Sequence, residues 1–372
     1  VSSAGFANQS QQQPGASEID ALLRNKNIIV MVGAGGVGKT TSSALLAIRA
    51  AMSGRRVALL SIDPAKRLAS ALGIGLGHEM NAVALKNPAP GGSLHAAMLD
   101  QKAVFDRMVR THAPSDKIAE RIMRDPLYRS ASTNLSGPLE YMALARLQEL
   151  ASDPAFDLVV VDTPPDTHAL DFLKRPNVLA GFMENRVMMW IIKPVLAMGK
   201  LGIGKILGAS EKLAGGVASV TGFGALRSFG EFLLLMQEVI EGFHKTGEQV
   251  VATLQHKKTA FILVAVPTRA AERSAVFLAD QLADMDYRVD GLVINRCMPG
   301  TSQAGAGGVI DSLAPRARDF VKVRMSGEEK VIQNLLKNLS SSRKKSRLVV
   351  KIDDQGADFH DMGSLTRLAR SF

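Results

Sequence analysis

Short apolar runs alternate along this chain with longer stretches in which apolar residues recur every three or four positions. The run Ile28-Ile29-Val30-Met31-Val32 is continuous, which predicts a buried strand. Over 40–52 the residues Ala44, Leu45, Ala47, Ile48 and Ala51 keep helical spacing, and Gly54 stands where a C-terminal cap belongs. Further strands are predicted at 56–62 (Val57-Ala58-Leu59-Leu60), 157–162 (Leu158-Val159-Val160-Val161), 259–266, 292–295 and 348–352. The strand at 56–62 leaves the first helix and is expected to lie beside the first strand. Residues 98–150 read as helices broken at Ser136-Gly137-Pro138; 273–285 predicts an amphipathic helix and 361–369 a closing one, while 305–308 and 337–345 are loop-like. Together these elements predict an α/β fold, a doubly wound and mostly parallel sheet, with a helical subdomain inserted at about 98–150 and 176–245.

Two stretches depart from that alternation. Residues 1–17 are mostly Ser, Gln, Gly and Ala with no charged side chain, and a disordered tail is expected there, with the folded domain at 18–372 and a short helix from Ser17. Residues 178–243 hold Met183, Met188, Met189, Trp190, Met198 and Met236 among many glycines. The part at 187–206 is apolar enough to raise a membrane span, but Lys193, Pro194, Lys200 and Lys205 interrupt it, and charge at mid-bilayer is costly. A mobile helical subdomain with an adaptable apolar face fits better, offered to a hydrophobic client or a membrane surface. Packing of these residues against one another is the competing reading.

Composition narrows the class. The chain has 372 residues, 46% of them hydrophobic but only 5% aromatic, so its core is aliphatic and draws on 16 Met. The single cysteine, Cys297, excludes an internal disulfide and a cysteine-cluster metal site within one chain. A cytoplasmic location is expected, and no positive segment followed by an apolar run opens the sequence, so no secretory leader is expected. A net charge of +10 admits nucleic acid or an anionic membrane as partner. The basic residues are dispersed, however (Arg55-Arg56, Lys66-Arg67, Lys257-Lys258, Arg343-Lys344-Lys345), and no aromatics interleave them. A solvated basic surface ranks first, membrane attraction second and nucleic acid last.

Candidate chemistry begins between the first strand and the first helix. Gly33-Ala34-Gly35-Gly36-Val37-Gly38-Lys39-Thr40-Thr41 fits G-x-x-x-x-G-K-[ST] in strand-to-helix context, which disfavours a chance glycine-rich turn. In such a loop backbone amides turn inward around a polyphosphate and the helix N-terminus adds positive charge. Lys39 would reach the β- and γ-phosphates and Thr40 would ligate Mg²⁺. Asp63 closes the second strand ahead of Pro64, in the crevice where open α/β sheets bind ligands; a helix cap or turn former is the bland alternative. Asp162 closes its strand where a second Mg²⁺-organising carboxylate is expected, acting through water. The following Thr163-Pro164-Pro165-Asp166-Thr167-His168 loop would lie near the γ-phosphate, and His168 there reads as a packed or hydrogen-bonded loop residue before it reads as a base.

Taken in order, these segments resemble the ArsA-type ATPases, a family that includes arsenite-pump ATPases and those that guide tail-anchored proteins to membranes, within the dimeric class that holds MinD and ParA. The resemblance covers about 27–372 and rests on 33–41, on Ser61-Ile62-Asp63-Pro64-Ala65, on Val161-Asp162-Thr163-Pro164-Pro165-Asp166-Thr167-His168 with Leu170 and Phe172-Leu173 after it, and on Leu292 to Asn295. It looks closest to a bacterial branch often encoded as unlike pairs. It implies a P-loop fold, ATP and Mg²⁺ as ligands, Asp63 positioning the attacking water, Asp162 organising Mg²⁺ and Asn295 recognising adenine. No guanine-reading NKxD pattern is present, which favours ATP over GTP.

Three departures qualify that resemblance. Ala34 stands where the family has a lysine that reaches a partner's nucleotide, so slow turnover as a homodimer is expected, and a heterodimer with a lysine-bearing paralogue. No C-x-x-C is present, so neither the zinc clasp nor the arsenite-binding cysteines of relatives are expected. Thr167 replaces a glycine of the second switch. The leading expectation is a Mg²⁺-dependent ATPase whose dimer opens and closes with the nucleotide. The alternatives are a low-turnover nucleotide-binding regulatory subunit and a MinD- or ParA-like positioning ATPase on membrane or DNA.

Overall fold

A computed structural model describes residues 14–63, 67–134, 138–164, 223–298, 314–339, 348–356 and 362–371. Loop segments 305–308, Thr167 and His168 lie outside the described residues, as does most of 178–243. The described residues fall into two compact units, one drawn from 1–99, 149–170 and 254–372 and the other from 100–148 and 171–253.

The first unit is built on eight strands: β1 (Ile28–Gly33), β2 (Arg56–Ser61), β3 (Asn81–Val83), β4 (Ser93–Met98), β5 (Leu158–Asp162), β6 (Thr259–Ala265), β7 (Val289–Cys297) and β8 (Leu348–Asp353). Their order in the sheet is β3-β4-β2-β5-β1-β6-β7-β8, and only the β3–β4 pairing at the edge is antiparallel. The expected neighbourhood of β1 and β2 is not what forms. Strand β5 lies between them, pairing with β1 on one side and β2 on the other. A crossover helix can skip a strand position, and here a segment from much later in the chain fills it.

Helices cover both faces of this sheet. On one face α1 (Pro14–Asn25), α2 (Lys39–Met52), α3 (Arg67–Leu72) and α11 (Met362–Ser371) pack over alternate strand residues such as Ile29, Met31, Leu59, Val160, Ile262 and Val350. On the other, α9 (Arg269–Asp284) packs against β6 and β1, with α10 (Pro315–Leu339) beside it. The architecture is thus the doubly wound α/β sheet expected of a P-loop NTPase. Four features differ in detail from the sequence-based expectation. Helix α1 begins at Pro14, inside the stretch expected as a tail, with proline suited to a first helical turn. Helix α10 runs to Leu339, so Lys337 is helical rather than in a loop. Strand β7 extends two residues beyond Asn295. Strands β3 and β4 have no counterpart in the apolar pattern.

The second unit is helical: α4 (Gln101–His112), α5 (Asp116–Arg124), α6 (Pro126–Asn134), most of α7 (Pro138–Ser152) and most of α8 (Phe223–Gln255). Aromatics organise it although the chain has few. Phe105 stacks on Tyr128 and meets Phe243 edge-on, and Tyr141 donates its hydroxyl proton to the Phe243 carbonyl. Burial pushes the Tyr141 hydroxyl well above the usual tyrosine range and the His112 imidazole below the usual histidine range, with Lys245 adding to the latter. Among the described residues no helix is long and apolar enough to cross a membrane.

Candidate active site

All strands bearing the singled-out residues run parallel, so the Gly33 loop, Asp63, Asp162 and Asn295 gather at one edge of the sheet. Strand β1 ends in Gly33, whose missing side chain is required by its neighbour: a Cβ there would stand 2.4 Å from the Val264 carbonyl oxygen of β6. The chain then leaves the sheet through exposed Gly35 and Gly36 and enters α2 at Gly38. Gly38 has φ 93°, a left-handed conformation, and no side chain caps the helix start. Gly38 at the N-cap position has no side chain to cap the first turn of α2, and a glycine-led helix start of this kind is the donor arrangement that receives a phosphate.

Lys39 is buried at the head of this helix, 6% exposed, and its ammonium donates to the carbonyl oxygens of Gly33 (2.8 Å) and Ala34 (2.9 Å). The positive charge is thereby held within the loop. Thr40 and Thr41 follow, each partly exposed at the same end of α2.

Asp162 is the electrostatic centre of the arrangement. Side chains alternate along a strand, so Leu158, Val160 and Asp162 share the α2 face of β5, as Val57, Leu59 and Ser61 do on β2. Ser61 pairs directly with Asp162 across the sheet, and its hydroxyl donates to Oδ2 at 3.1 Å. The Ser43 hydroxyl stands 3.5 Å from Oδ1, and the Thr40 hydroxyl hydrogen-bonds the same carboxylate. Full burial pushes the Asp162 carboxyl up from 3.8 to about 6; Thr40, Ser61 and Lys39 oppose the rise, and nearby Asp63 adds to it.

Asp63 follows β2 and is itself 5% exposed. Its loop is tied to β5, because the Ile62 amide donates to the Asp162 carbonyl at 2.9 Å. One carboxylate oxygen, Oδ2, accepts from Arg67 Nη1 at 3.0 Å. Thr163, just beyond Asp162, sends its hydroxyl proton to the Met31 carbonyl of β1 at 2.6 Å, so the loop after β5 is pinned to the strand before the glycines.

Asn295 reaches the loop from the other side. The β7–β8 register shifts between Ile294 and Cys297, and Arg296 has φ 56°, the signature of an irregularity that re-aims a side chain. Asn295 Nδ2 donates to the Val37 carbonyl at 2.9 Å, and a Cβ on Gly38 would stand 2.1 Å from that nitrogen. A Gly38→Ala variant is expected to displace Asn295 and force an unfavourable backbone angle at once. Its ATP affinity should fall by roughly tenfold or more while α/β circular dichroism is retained, as measured by nucleotide titration; the strain alone is about 1–2 kcal/mol.

All of the residues singled out in the loop, with Asp63, Asp162 and Asn295, thus lie at one edge. The hydroxyls of Ser43, Ser61 and Thr163 and the Arg67 guanidinium complete the surroundings. Sequence spacing holds a signal for two of them: Ser43 lies one turn after Lys39, and Arg67 one turn after Asp63.

The raised Asp162 value has a consequence for stability. Between 3.8 and about 6 the folded chain binds more protons at this group than the unfolded chain does. Its stability contribution is therefore complete below 3.8 and lost as pH rises through about 6, a change on the order of 3 kcal/mol. In metal-free buffer, Asp162→Asn is expected to melt above the parent chain at about pH 8, with the difference closing toward about pH 4 in thermal denaturation.

Comparison with known proteins agrees with this geometry. A family model described as Anion-transporting ATPase (ArsA) matches residues 26–311. The chain is 25% identical to the ATPase ASNA1 homolog 1 of Paramecium tetraurelia over 78% of this chain and 80% of that protein. It is 24% identical to the ATPase GET3 of Podospora anserina over 75% and 76% respectively, and 33% identical to the ATPase GET3 of Malassezia globosa over 40% and 41%. With a G-x-x-x-x-G-K-T loop between strand and helix, two strand-end acids and a family match over most of its length, this chain belongs to the ArsA-type anion-transporting ATPases and is an ATP-hydrolysing enzyme.

Proposed function

We propose that the chain binds ATP with Mg²⁺ at this edge and couples its hydrolysis to the opening and closing of a dimer. The observation that carries the reading is the fully buried Asp162 carboxylate, ringed by Thr40, Ser61 and Lys39 at the start of α2. Hard oxygen donors of this kind suit Mg²⁺, which keeps several waters and takes few protein ligands. Thr40 would ligate the metal directly and Asp162 through water, and the ion supplies charge neutralisation on the phosphates. Residues 33–41 would cradle the polyphosphate with their amides, Lys39 would bind the β- and γ-phosphates, and Asp63 would orient the attacking water. Asn295, anchored on the loop at Val37, would border the adenine.

Ala34 favours a particular assembly. A cation supplied in trans can raise phosphoryl-transfer rates by about 10³–10⁵-fold, and this chain has Ala34 at the position where the family resemblance implies a lysine in that role. The chain would act in a heterodimer with a lysine-bearing paralogue, as a slow ATPase or a regulatory subunit when alone. The dimer would act on a hydrophobic client, a membrane component or a partner protein. The family match and the ATPase relatives support the hydrolytic part of this reading. Turnover of ATP with Mg²⁺ and with chelator, for the chain alone and with such a paralogue, tests it. Stimulation of roughly a hundredfold or more by the paralogue is expected, and ordinary turnover by the isolated chain would refute the heterodimer.

A further inference from the structure

We infer that Arg67 is a positioning residue for Asp63, fixing the orientation of its carboxylate for hydrolysis. The inference rests on the reading of Asp63 as the group that orients the attacking water.

The two side chains differ sharply in setting. Asp63 is 5% exposed, whereas Arg67, at the head of α3, is 57% exposed and reaches inward to place Nη1 3.0 Å from Oδ2. Most ion pairs one helical turn apart have both partners in water and hold little. Here the acid is sunk in the site, and its field is strong enough to help raise the Asp162 carboxyl. Two buried carboxylates repel each other, and the guanidinium 3.0 Å from Oδ2 offsets that repulsion and favours one orientation of the Asp63 carboxylate. Lys39 favours the ionised form of Asp162, and the Arg67 guanidinium meets Oδ2 of Asp63 directly.

A planar guanidinium also fixes direction, which an ammonium does less well. Holding Oδ2 on one side restricts the rotation of the carboxylate about its own axis. The effect of removing Arg67 should therefore fall on the hydrolytic step, through Asp63, and not on nucleotide binding, which is the task of 33–41.

Single-turnover ATP hydrolysis with the full chain in excess tests this even if steady turnover is slow. The variants are Arg67→Gln, Arg67→Lys, Asp63→Asn and the double Asp63→Asn/Arg67→Gln. Arg67→Gln is expected to lower the hydrolytic rate constant by about ten- to a hundredfold, the scale of a misplaced reacting group. The half-saturating concentration should move by less than about twofold, and Arg67→Lys should recover part of the rate. The double variant should match Asp63→Asn alone, since residues acting through one group are not additive. An unchanged rate in Arg67→Gln, a change confined to half-saturation, or a double variant slower than Asp63→Asn would each overturn the inference. A full rate in Asp63→Asn would instead remove the reading of Asp63 itself.

Discussion

A Lys39→Ala variant is expected to lose hydrolysis by about 10²–10³-fold or more and to bind ATP markedly more weakly. The magnitude is that of deleting one preorganised donor from a charge-stabilising site. Lys39 is the buried cation of the loop, held by the Gly33 and Ala34 carbonyls, and it also lowers the electrostatic cost of ionised Asp162. Its loss acts twice: the phosphates lose a point charge, and the carboxylate that would organise the metal is driven further toward its protonated form. Turnover assays and titration with a fluorescent ATP analogue measure the two effects separately. An unchanged nucleotide affinity would count against the assignment of the loop.

Asp63→Asn should behave differently. The amide keeps the shape and a hydrogen-bonding oxygen but loses the charge that would orient and polarise the attacking water, so hydrolysis is expected to drop by about 10²–10⁴-fold. Binding of ATP should persist or tighten, because the substitution removes a negative charge beside Asp162 and near the phosphates. This split between binding and hydrolysis distinguishes Asp63 from Lys39. Equal losses in both quantities would place Asp63 among the binding groups.

Much of this arrangement is legible in the order of residues alone. Strands β1, β2, β5 and β6 are continuous apolar runs because helices bury both of their faces, and such runs are visible residue by residue. Strand β4, Ser93-Leu94-His95-Ala96-Ala97-Met98, carries no such signal: alanine has little preference for a strand, and the segment is buried by the sheet around it. The placing of β5 between β1 and β2 depends on pairing between distant segments, which local pattern does not encode. Phosphate-loop residues are readable because their types answer to local geometry. The approach of Asn295 to Val37 is not, since it depends on an irregularity at the end of β7. Ser61 acquires its role from being opposite Asp162, a matter of register alone.

That register makes the site intolerant of changes in strand length. Met31, Asp162 and Ser61 occupy a single rung across three strands, with Asp162 in the middle. Inserting or deleting one residue between Leu158 and Val161 would turn the acid toward the opposite layer, because side-chain direction reverses at every step. Loops elsewhere in the first unit can lengthen without disturbing that rung. Length variation among functional relatives should therefore collect in connections and spare the strand that ends in Asp162, a pattern that alignment of many such chains would reveal.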